Sequence, residues 1–513
     1  MLRLLWVTGL LGTPVFADAP KFVPVEITPH VYDGGWEHFV GGGVAVFDCD
    51  NDEMPEVFAA GGANSATLYR NDSSPGSEVS LVAQTPAGLA LKSALGAYPI
   101  DINNDGMTDL VVLRAGANVI LKGGPDCTFE PFDNLNIDLG GAWTTAFSAT
   151  WEVGNELPTL AFGNYVDRGD PDGPFGACDT NLLLRPDDKE YQTPIKLDPS
   201  YCPLSLLFSD WGRNGRSDLR VSNDRHYYVT GGQEQLWAMN ETPRLYSQSD
   251  GWAKHQLWGM GIASRDITGD GVPEVMMSSM GDQRLQSLEL KKTGPAFKDA
   301  PFDLGTTAHR PFIGGDGRPS TGWHIAFGDV QNNGRDDIFI AKGNVEQMPG
   351  LAMKDPNNLL LQNTNGSFTE VGNIAGLASL HRGRGAALVD LNGDGLLDVV
   401  VVNRRAAMEV YQNTTLETGH WISVRLRQFE INRNAIGAWL EVDTGTHIFA
   451  REVTIGGGHA GGTLGFEHFG LGSVRTVRLR VIWPDRSESH WVTVTADRKY
   501  VFDRVGHNIV NRN

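Results

Sequence analysis

Asp390-Leu391-Asn392-Gly393-Asp394-Gly395-Leu396-Leu397-Asp398, followed by Val399-Val400-Val401-Val402, carries oxygen-bearing side chains at its first, third, fifth and ninth positions. A hard cation such as Ca²⁺ takes about six to eight oxygens, and alternate residues of a tight loop can turn several of them inward. Gly395 permits the sharp turn. The carbonyl of Leu396, at position seven, adds a main-chain oxygen. The last carboxylate stands at position nine rather than twelve, and the flanks read as strands, which separates the stretch from an EF-hand. Taken alone, it also reads as a hydrated Asp/Asn/Gly turn between strands.

It does not stand alone. Comparable loops begin at residues 48, 101, 151, 210, 266, 329 and 390, each between apolar runs. The first offers Asp48, Asp50, Asp52, the carbonyl of Met54 and Glu56, with Glu53 where a glycine is expected. The second offers Asp101, Asn103, Asp105, Met107 and Asp109; the fifth, Asp266, Thr268, Asp270, Val272 and Glu274. The sixth has Asp329, Gln331, Asn333, Arg335 and Asp337, with two carboxylates at ligand positions. The seventh has Asp390, Asn392, Asp394, Leu396 and Asp398. Residues 151–159 keep the frame and lose the ligands. Residues 210–218 keep Asp210, Asn214 and Asp218 but place Gly212 at position three, a poor site. A carboxylate-rich flexible loop suits calcium better than magnesium, and the expectation is about four to five ions. Their role would be structural: each ion neutralises like charges and fixes the entry of a strand.

The loops are spaced by 50 to 63 residues, with three or four strand-like runs per unit. That period is the mark of a β-propeller, and seven units predict seven blades. An open array would leave exposed edges. The seventh unit lacks a fourth strand after Asn413, and residues 22–28 at the N-terminus form an orphan strand of the missing type. The reading is an all-β fold, a seven-bladed propeller closed by the N-terminal strand; an unclosed solenoid is the alternative.

The chain has 513 residues, enough for more than one domain. Sixty-two glycines favour many short strands. The formal charge of −20 argues against nucleic acid and suits cation binding. From residue 415 onward 12 Lys/Arg face 10 Asp/Glu, so the acidity belongs to the repeats. There, alternating stretches such as 421–426 and 477–483 predict antiparallel strands. The division is therefore 1–17 signal peptide, 20–414 propeller and 415–513 a small β-sandwich-like domain. The signal reading rests on Arg3, the apolar run to Leu11 and the small residues Val15 and Ala17 before cleavage. It places the protein outside the cytoplasm, secreted or periplasmic. No later run is long enough to span a bilayer. Of the four cysteines, Cys178 and Cys202 bracket a loop-like insertion and are expected to pair, leaving Cys49 with Cys127.

The repeats resemble the FG-GAP/VCBS repeats of integrin α-subunit propellers. The C-terminal segment resembles the ASPIC/UnbV domain through Gly419-His420-Trp421-Ile422, Asn434-Ala435-Ile436-Gly437-Ala438, Arg451-Glu452-Val453, Gly456-Gly457-Gly458-His459, His468-Phe469-Gly470-Leu471-Gly472 and Trp483-Pro484-Asp485. Together the two cover nearly the whole mature chain, as in bacterial relatives of cartilage acidic protein. The resemblance implies calcium at loop positions one, three, five and nine. It also implies extracellular binding or adhesion, with a protein or glycan partner it does not name. The alternative is an extracellular hydrolase or lyase acting on carbohydrate, with its site on the propeller face; a central pocket lined by His, Arg or carboxylates from outside the loops would favour it. Propellers host both.

Three other stretches stand out. Gly456-Gly457-Gly458-His459-Ala460-Gly461-Gly462 lacks the Lys-Ser/Thr of a phosphate loop and reads as a glycine-rich β connection. His459 and His468 have no third ligand nearby in sequence. Asn223-Asp224-Arg225-His226-Tyr227-Tyr228 reads either as a ligand-lining cluster or as a hydrogen-bonded loop beside the Cys178–Cys202 insertion. No Ser/His/Asp constellation assembles.

Overall fold

The computed structural model describes residues 19–170, 176–187, 190–225, 228–505 and the backbone of 509–512. The expected signal segment 1–17, and His226 and Tyr227, lie outside the described residues.

Strand boundaries follow the acidic loops. First strands end one residue before a loop begins: Val44–Phe47, Ala94–Ile100, Thr144–Thr150, Pro203–Ser209, Gly259–Arg265, Gly322–Gly328 and Arg382–Val389. Second strands begin on the ninth loop residue: Glu56–Ala59, Asp109–Arg114, Thr159–Asn164, Asp218–Asn223, Glu274–Ser279, Asp337–Lys342 and Asp398–Arg404. Each pair extends antiparallel into a small sheet by a third and a fourth strand. Six sheets draw their fourth strand from the residues that follow. The last takes Phe22–Pro24, which pairs antiparallel with Glu409–Asn413, Phe22 opposite Asn413 and Pro24 opposite Tyr411. The ladder is shorter than the orphan strand expected over 22–28, although the Val25 N–H still reaches the Val410 carbonyl at 2.8 Å.

Each first strand packs on the first strand of the next sheet, and Arg382–Val389 packs back on Val44–Phe47. Sheets buried on both faces read as continuous apolar runs rather than alternating ones, as Asp398–Arg404 does, with every residue buried. Separate apolar clusters fill the gaps: Phe22, Phe339, Val401 and Tyr411 between the last two sheets, and Leu206, Phe208, Val221 and Trp237 between the third and fourth.

Beyond residue 415 two further four-stranded sheets face each other. One is built from Glu467–Gly472, His420–Arg427, Arg498–Asp503 and Ile509–Arg512, the other from Ile448–Glu452, Trp439–Asp443, Thr476–Ile482 and Val492–Thr495. Ile422, Val424, Leu440, Leu479, Phe469 and Phe502 fill the space between them.

One segment of this region leaves it. Residues 455–464 form a hairpin along the axis on which the first strands converge. Ile455 bridges Ala149, Gly456 bridges Leu207, Gly458 bridges Ile262 and Gly461 bridges Ala97. Thr463–Leu464 runs parallel to Val46–Phe47 and adds a strand to the first sheet. The glycine-rich connection is therefore a central strut held by five of the seven first strands.

Both expected disulfides are formed, Cys49–Cys127 across 78 residues and Cys178–Cys202 across 24. A crosslink that closes a longer loop removes more entropy from the unfolded chain. Replacing Cys49 and Cys127 by serine should therefore cost about 1 kcal/mol more than replacing Cys178 and Cys202. Thermal unfolding of the two double variants checks the order. Among the described residues no helix is long and apolar enough to cross a membrane.

Candidate metal centres in the seven loops

Six of the seven loops, all but the third, share one hydrogen-bond scheme, set by where their carboxylates fall. The position-one aspartate turns back over its own loop. Asp390 Oδ1 accepts the Gly393 N–H at 2.7 Å and Oδ2 the Gly395 N–H at 3.0 Å. Asp101, Asp266 and Asp329 do the same with the N–H of Gly106, Gly271 and Gly334. These glycines adopt positive φ, between 82° and 88°. Glu53 occupies the same conformation in the first loop, φ 70°, a strained setting for a residue with a side chain. Position five holds the following turn: Asp52, Asp105, Asp270 and Asp394 accept the N–H of Met54, Met107, Val272 and Leu396 at 2.8–2.9 Å. In the sixth loop Arg335 N–H goes instead to Asp329, at 3.2 Å.

Position nine has a task that spacing alone did not reveal. Its carboxylate clips the loop to the third strand. Asp398 accepts the N–H of Leu391 at 2.9 Å and of Asn413 at 2.8 Å. Asp109 accepts those of Ile102 and Gly123, and Asp337 those of Val330 and Gln362. Glu56 and Glu274 hold the N–H of Cys49 and Ile267. Thr268, at position three, donates to Glu274, while Asn103 and Asn392 donate to Asp105 and Asp394.

These acids are poorly compensated. Burial, aided by neighbouring carboxylates, pushes Asp101, Asp266, Asp329 and Asp390 up to about 6. It pushes Glu56, Asp109 and Glu274 up to about 7, and Asp337 and Asp398 well above the carboxylate range. In the first loop the ligand oxygens of Asp48, Asp50 and Glu56 lie within 4.8 Å of one another. Asp48 Oδ1 and Glu56 Oε1 are buried without a hydrogen-bond partner. In the sixth, Asn333 Oδ1 is buried and unpartnered, beside a Gln331 that accepts the Asn333 amide. Unsatisfied, converging oxygens of this kind can hold a hard divalent cation.

The third and fourth loops meet the same charge problem with an arginine. Glu152 accepts Arg185 Nε at 2.8 Å and the Thr159 hydroxyl at 2.9 Å. Asp218 takes Arg216 Nε at 3.0 Å, Trp211 Nε1 at 3.0 Å, the Tyr246 hydroxyl at 2.9 Å and the Met239 N–H at 2.9 Å. Four donors leave it little capacity for an ion. The first loop has cationic neighbours as well: Arg70 pairs with Asp50, and Arg425 stands 3.4 Å from Asp48.

The C-terminal region covers the loops. Asn104 Oδ1 accepts the Asn432 N–H at 2.6 Å. Arg213 pairs with Glu441 at 2.6 Å, Arg451 with Asp336 at 2.9 Å, and His468 Nε2 lies 3.1 Å from the Gly395 carbonyl. His459 sits elsewhere, at the hairpin tip, where its N–H donates to His324 Nδ1 at 3.0 Å and its ring meets Trp323 edge-on. The two histidines have different neighbours and do not form one site. Asp224 and Arg225 both bond the Tyr165 hydroxyl, and Asp224 N–H reaches the Cys202 carbonyl.

Residues 430–508 match the family model described as ASPIC and UnbV, and residues 48–112 and 350–424 match that of the FG-GAP-like repeat. No curated protein matches the chain. Among solved structures, BBS1N in complex with ARL6DN, soaked with lead, is 9% identical over 78% of this chain and 99% of that one, with a TM-score of 0.44. Saccharomyces cerevisiae Sqt1 is 11% identical over 76% of this chain and 100% of its own, TM-score 0.38. An Agrocybe aegerita lectin specific for non-reducing terminal N-acetylglucosamine is 14% identical over 76% and 85%, TM-score 0.31.

Proposed function

We propose, for a chain that carries FG-GAP-like repeats and a C-terminal ASPIC and UnbV domain, a secreted, non-catalytic recognition or adhesion module. Its scaffold is a closed seven-bladed β-propeller, residues 20–414, joined to a β-sandwich domain, residues 415–513. Calcium in loops one, two, five, six and seven holds it together. Its partner is an extracellular protein or a glycan.

The observation that carries this reading is the set of mutually repelling carboxylates in those five loops, the first of which also has Arg70 and Arg425 beside it, against loops three and four, where an arginine does the neutralising. The cycle of first-strand contacts and the pairing of Phe22–Pro24 with Glu409–Asn413 support ring closure. Two disulfides suit an oxidising compartment. The C-terminal domain packs against the inner side of these loops, while Asp52, Asp105 and Asp270 stay exposed; ions there would brace the fold. The hairpin occupies much of the axis. The cavity that remains there is lined by His324, His468, Arg265, Arg451 and Glu467 from outside the loops, and that lining supports the second reading, an extracellular hydrolase or lyase acting on carbohydrate.

Metal analysis of protein dialysed against trace calcium should give about four to five ions per chain. Asp390→Asn should remove one of them, and Asp218→Asn none. A chain that retains no calcium, or equal losses in the two variants, would defeat the reading.

A further inference from the structure

Between the hairpin and the fifth, sixth and seventh sheets the axis keeps a cavity of about 260 Å³. Along the ring its wall is apolar, with Ile262, Ala263, Ile325, Ala326, Ala387 and Leu388. Its floor, at the seam between the two domains, is charged, and Arg265, Arg425, Arg451 and Lys499 line it. Ser423 stands opposite both His468 and Lys499 in neighbouring strands. Arg425 is two residues further along, on the same face, which is turned to the ring.

These cations are unevenly partnered. Arg451 holds Asp336 at 2.9 Å. Arg265 comes no closer than 4.0 Å to Asp336 and 3.9 Å to Glu467. The Nε atoms of Arg265 and Arg451 are buried without a hydrogen-bond partner. Arg425 is 3.4 Å from Asp48 and 3.7 Å from Glu53. Lys499 donates to the Glu53 carbonyl at 3.4 Å, and the nearby acids that act on it are Asp390 and Asp394. Asp48 and Asp390 are the first residues of loops one and seven. A divalent ion in each loop lowers that loop's negative charge by two, so Asp48 and Asp390 balance Arg425 and Lys499 less fully. Asp266, also on the wall, belongs to loop five in the same way. Glu452 is occupied by the Ser209 hydroxyl and the Asp210 N–H. That leaves Glu53, Glu467 and Asp336, the last of them held by Arg451, facing four basic groups.

We infer that the cation-loaded protein takes a small dianion at this seam, an oxyanion such as sulfate or a short dicarboxylate. Arg265, Arg425 and Lys499 hold its charge, and any alkyl portion lies against Ile262, Ile325 and Leu388. Guanidinium groups suit bidentate recognition of such anions, and the apolar wall strengthens the attraction. The inference rests on the cation reading above and extends it to a ligand.

The test is calorimetric titration of the calcium-loaded full chain with sodium sulfate and, separately, disodium succinate at constant ionic strength. It is repeated on protein stripped of metal. Saturable one-site binding is expected for the loaded protein. Affinity should be at least about tenfold weaker after stripping, and in Arg265→Gln and Lys499→Gln. Neither residue is a proposed cation ligand, and each variant is checked for unchanged calcium content and melting temperature. Sulfate binding alone marks a compact oxyanion, and succinate binding marks an organic acid. A calcium-loaded protein that binds neither overturns the anion site and leaves the cation reading intact. Protein that takes up no calcium overturns both. Unchanged affinity in both variants makes the binding adventitious and overturns the location.

Discussion

Gly96→Val should split the unfolding of this protein into two transitions. A Cβ at Gly96 would lie 1.7 Å from the Ala460 carbonyl oxygen and 2.6 Å from its carbon, and Gly43 meets the same carbonyl equally closely. Both contacts are backbone atoms, which cannot swing aside as a flexible side chain would. The hairpin at 455–464 has to withdraw or the first strands have to part. Withdrawal undoes the bridges to Ala149, Leu207, Ile262 and Ala97 and exposes Ala460 and His459, both fully buried. Overpacking alone costs about 1–3 kcal/mol, and loss of the hairpin adds to it, so a total above about 4 kcal/mol is expected. Scanning calorimetry should show one transition for the parent chain and separate ring and C-terminal transitions for the variant. Gly465→Ala is the control, because nothing lies within 4 Å of its Cβ position. A single transition within about 1 °C of the parent would mean that the hairpin does not couple the domains.

The second large effect is a reversal of pH dependence on metal removal. The loop acids have folded-state pKa values above their unfolded values: about 6 for Asp101, Asp266, Asp329 and Asp390, about 7 for Glu56, Asp109 and Glu274. Between about pH 4 and pH 7 the folded chain binds more protons than the unfolded one, so stability falls as pH rises. The penalty is absent below the unfolded pKa values and complete above the folded ones. Metal-free protein should therefore melt higher at pH 5 than at pH 7.5. Calcium binds the deprotonated oxygens, so the loaded protein should melt higher at pH 7.5 than at pH 5. At pH 7.5 a site held at a hundred times its Kd adds about 2.7 kcal/mol. Four or five sites should raise the melting temperature by more than about 10 °C. Melting curves at the two pH values, with calcium and with chelator, decide this. Parallel pH profiles in the two conditions would show that protons and metal do not compete for these carboxylates.

The loop positions were legible because a local rule fixes them. Glycine at position six and acids at one, five and nine make a turn whose ends are strands, and each strand starts on the residue that the spacing names. The fourth strand of the last sheet was legible for a related reason: residue 413 ends a unit one strand short, and Phe22–Pro24 has no partner near it in sequence. Two things at the loops were not. The clip made by the position-nine carboxylate needs the N–H of a residue such as Asn413 or Gly123, and only the sheet brings that group within reach. The arginines that neutralise loops three and four lie at Arg185, in the run after the third strand, and at Arg216, which spacing alone reads as a surface residue.

The glycine run 456–462 marks the boundary between the two kinds of knowledge. By itself the sequence determined that this segment could not be a phosphate loop, that the chain is all-β and repeated, and which loops are rich in carboxylates. Those conclusions depend on periodicity and local backbone chemistry, which act over a few residues. Only the tertiary structure decided that the run lies on the axis between Gly43, Gly96 and His324, and that the C-terminal domain covers the acidic face. The physical reason is that the absence of a side chain specifies closeness without specifying to what. The backbone that comes within bonding distance of Gly461 is some 400 residues away in the chain, at Ala97 and Val44, and a contact of that range is set by packing rather than by any local preference.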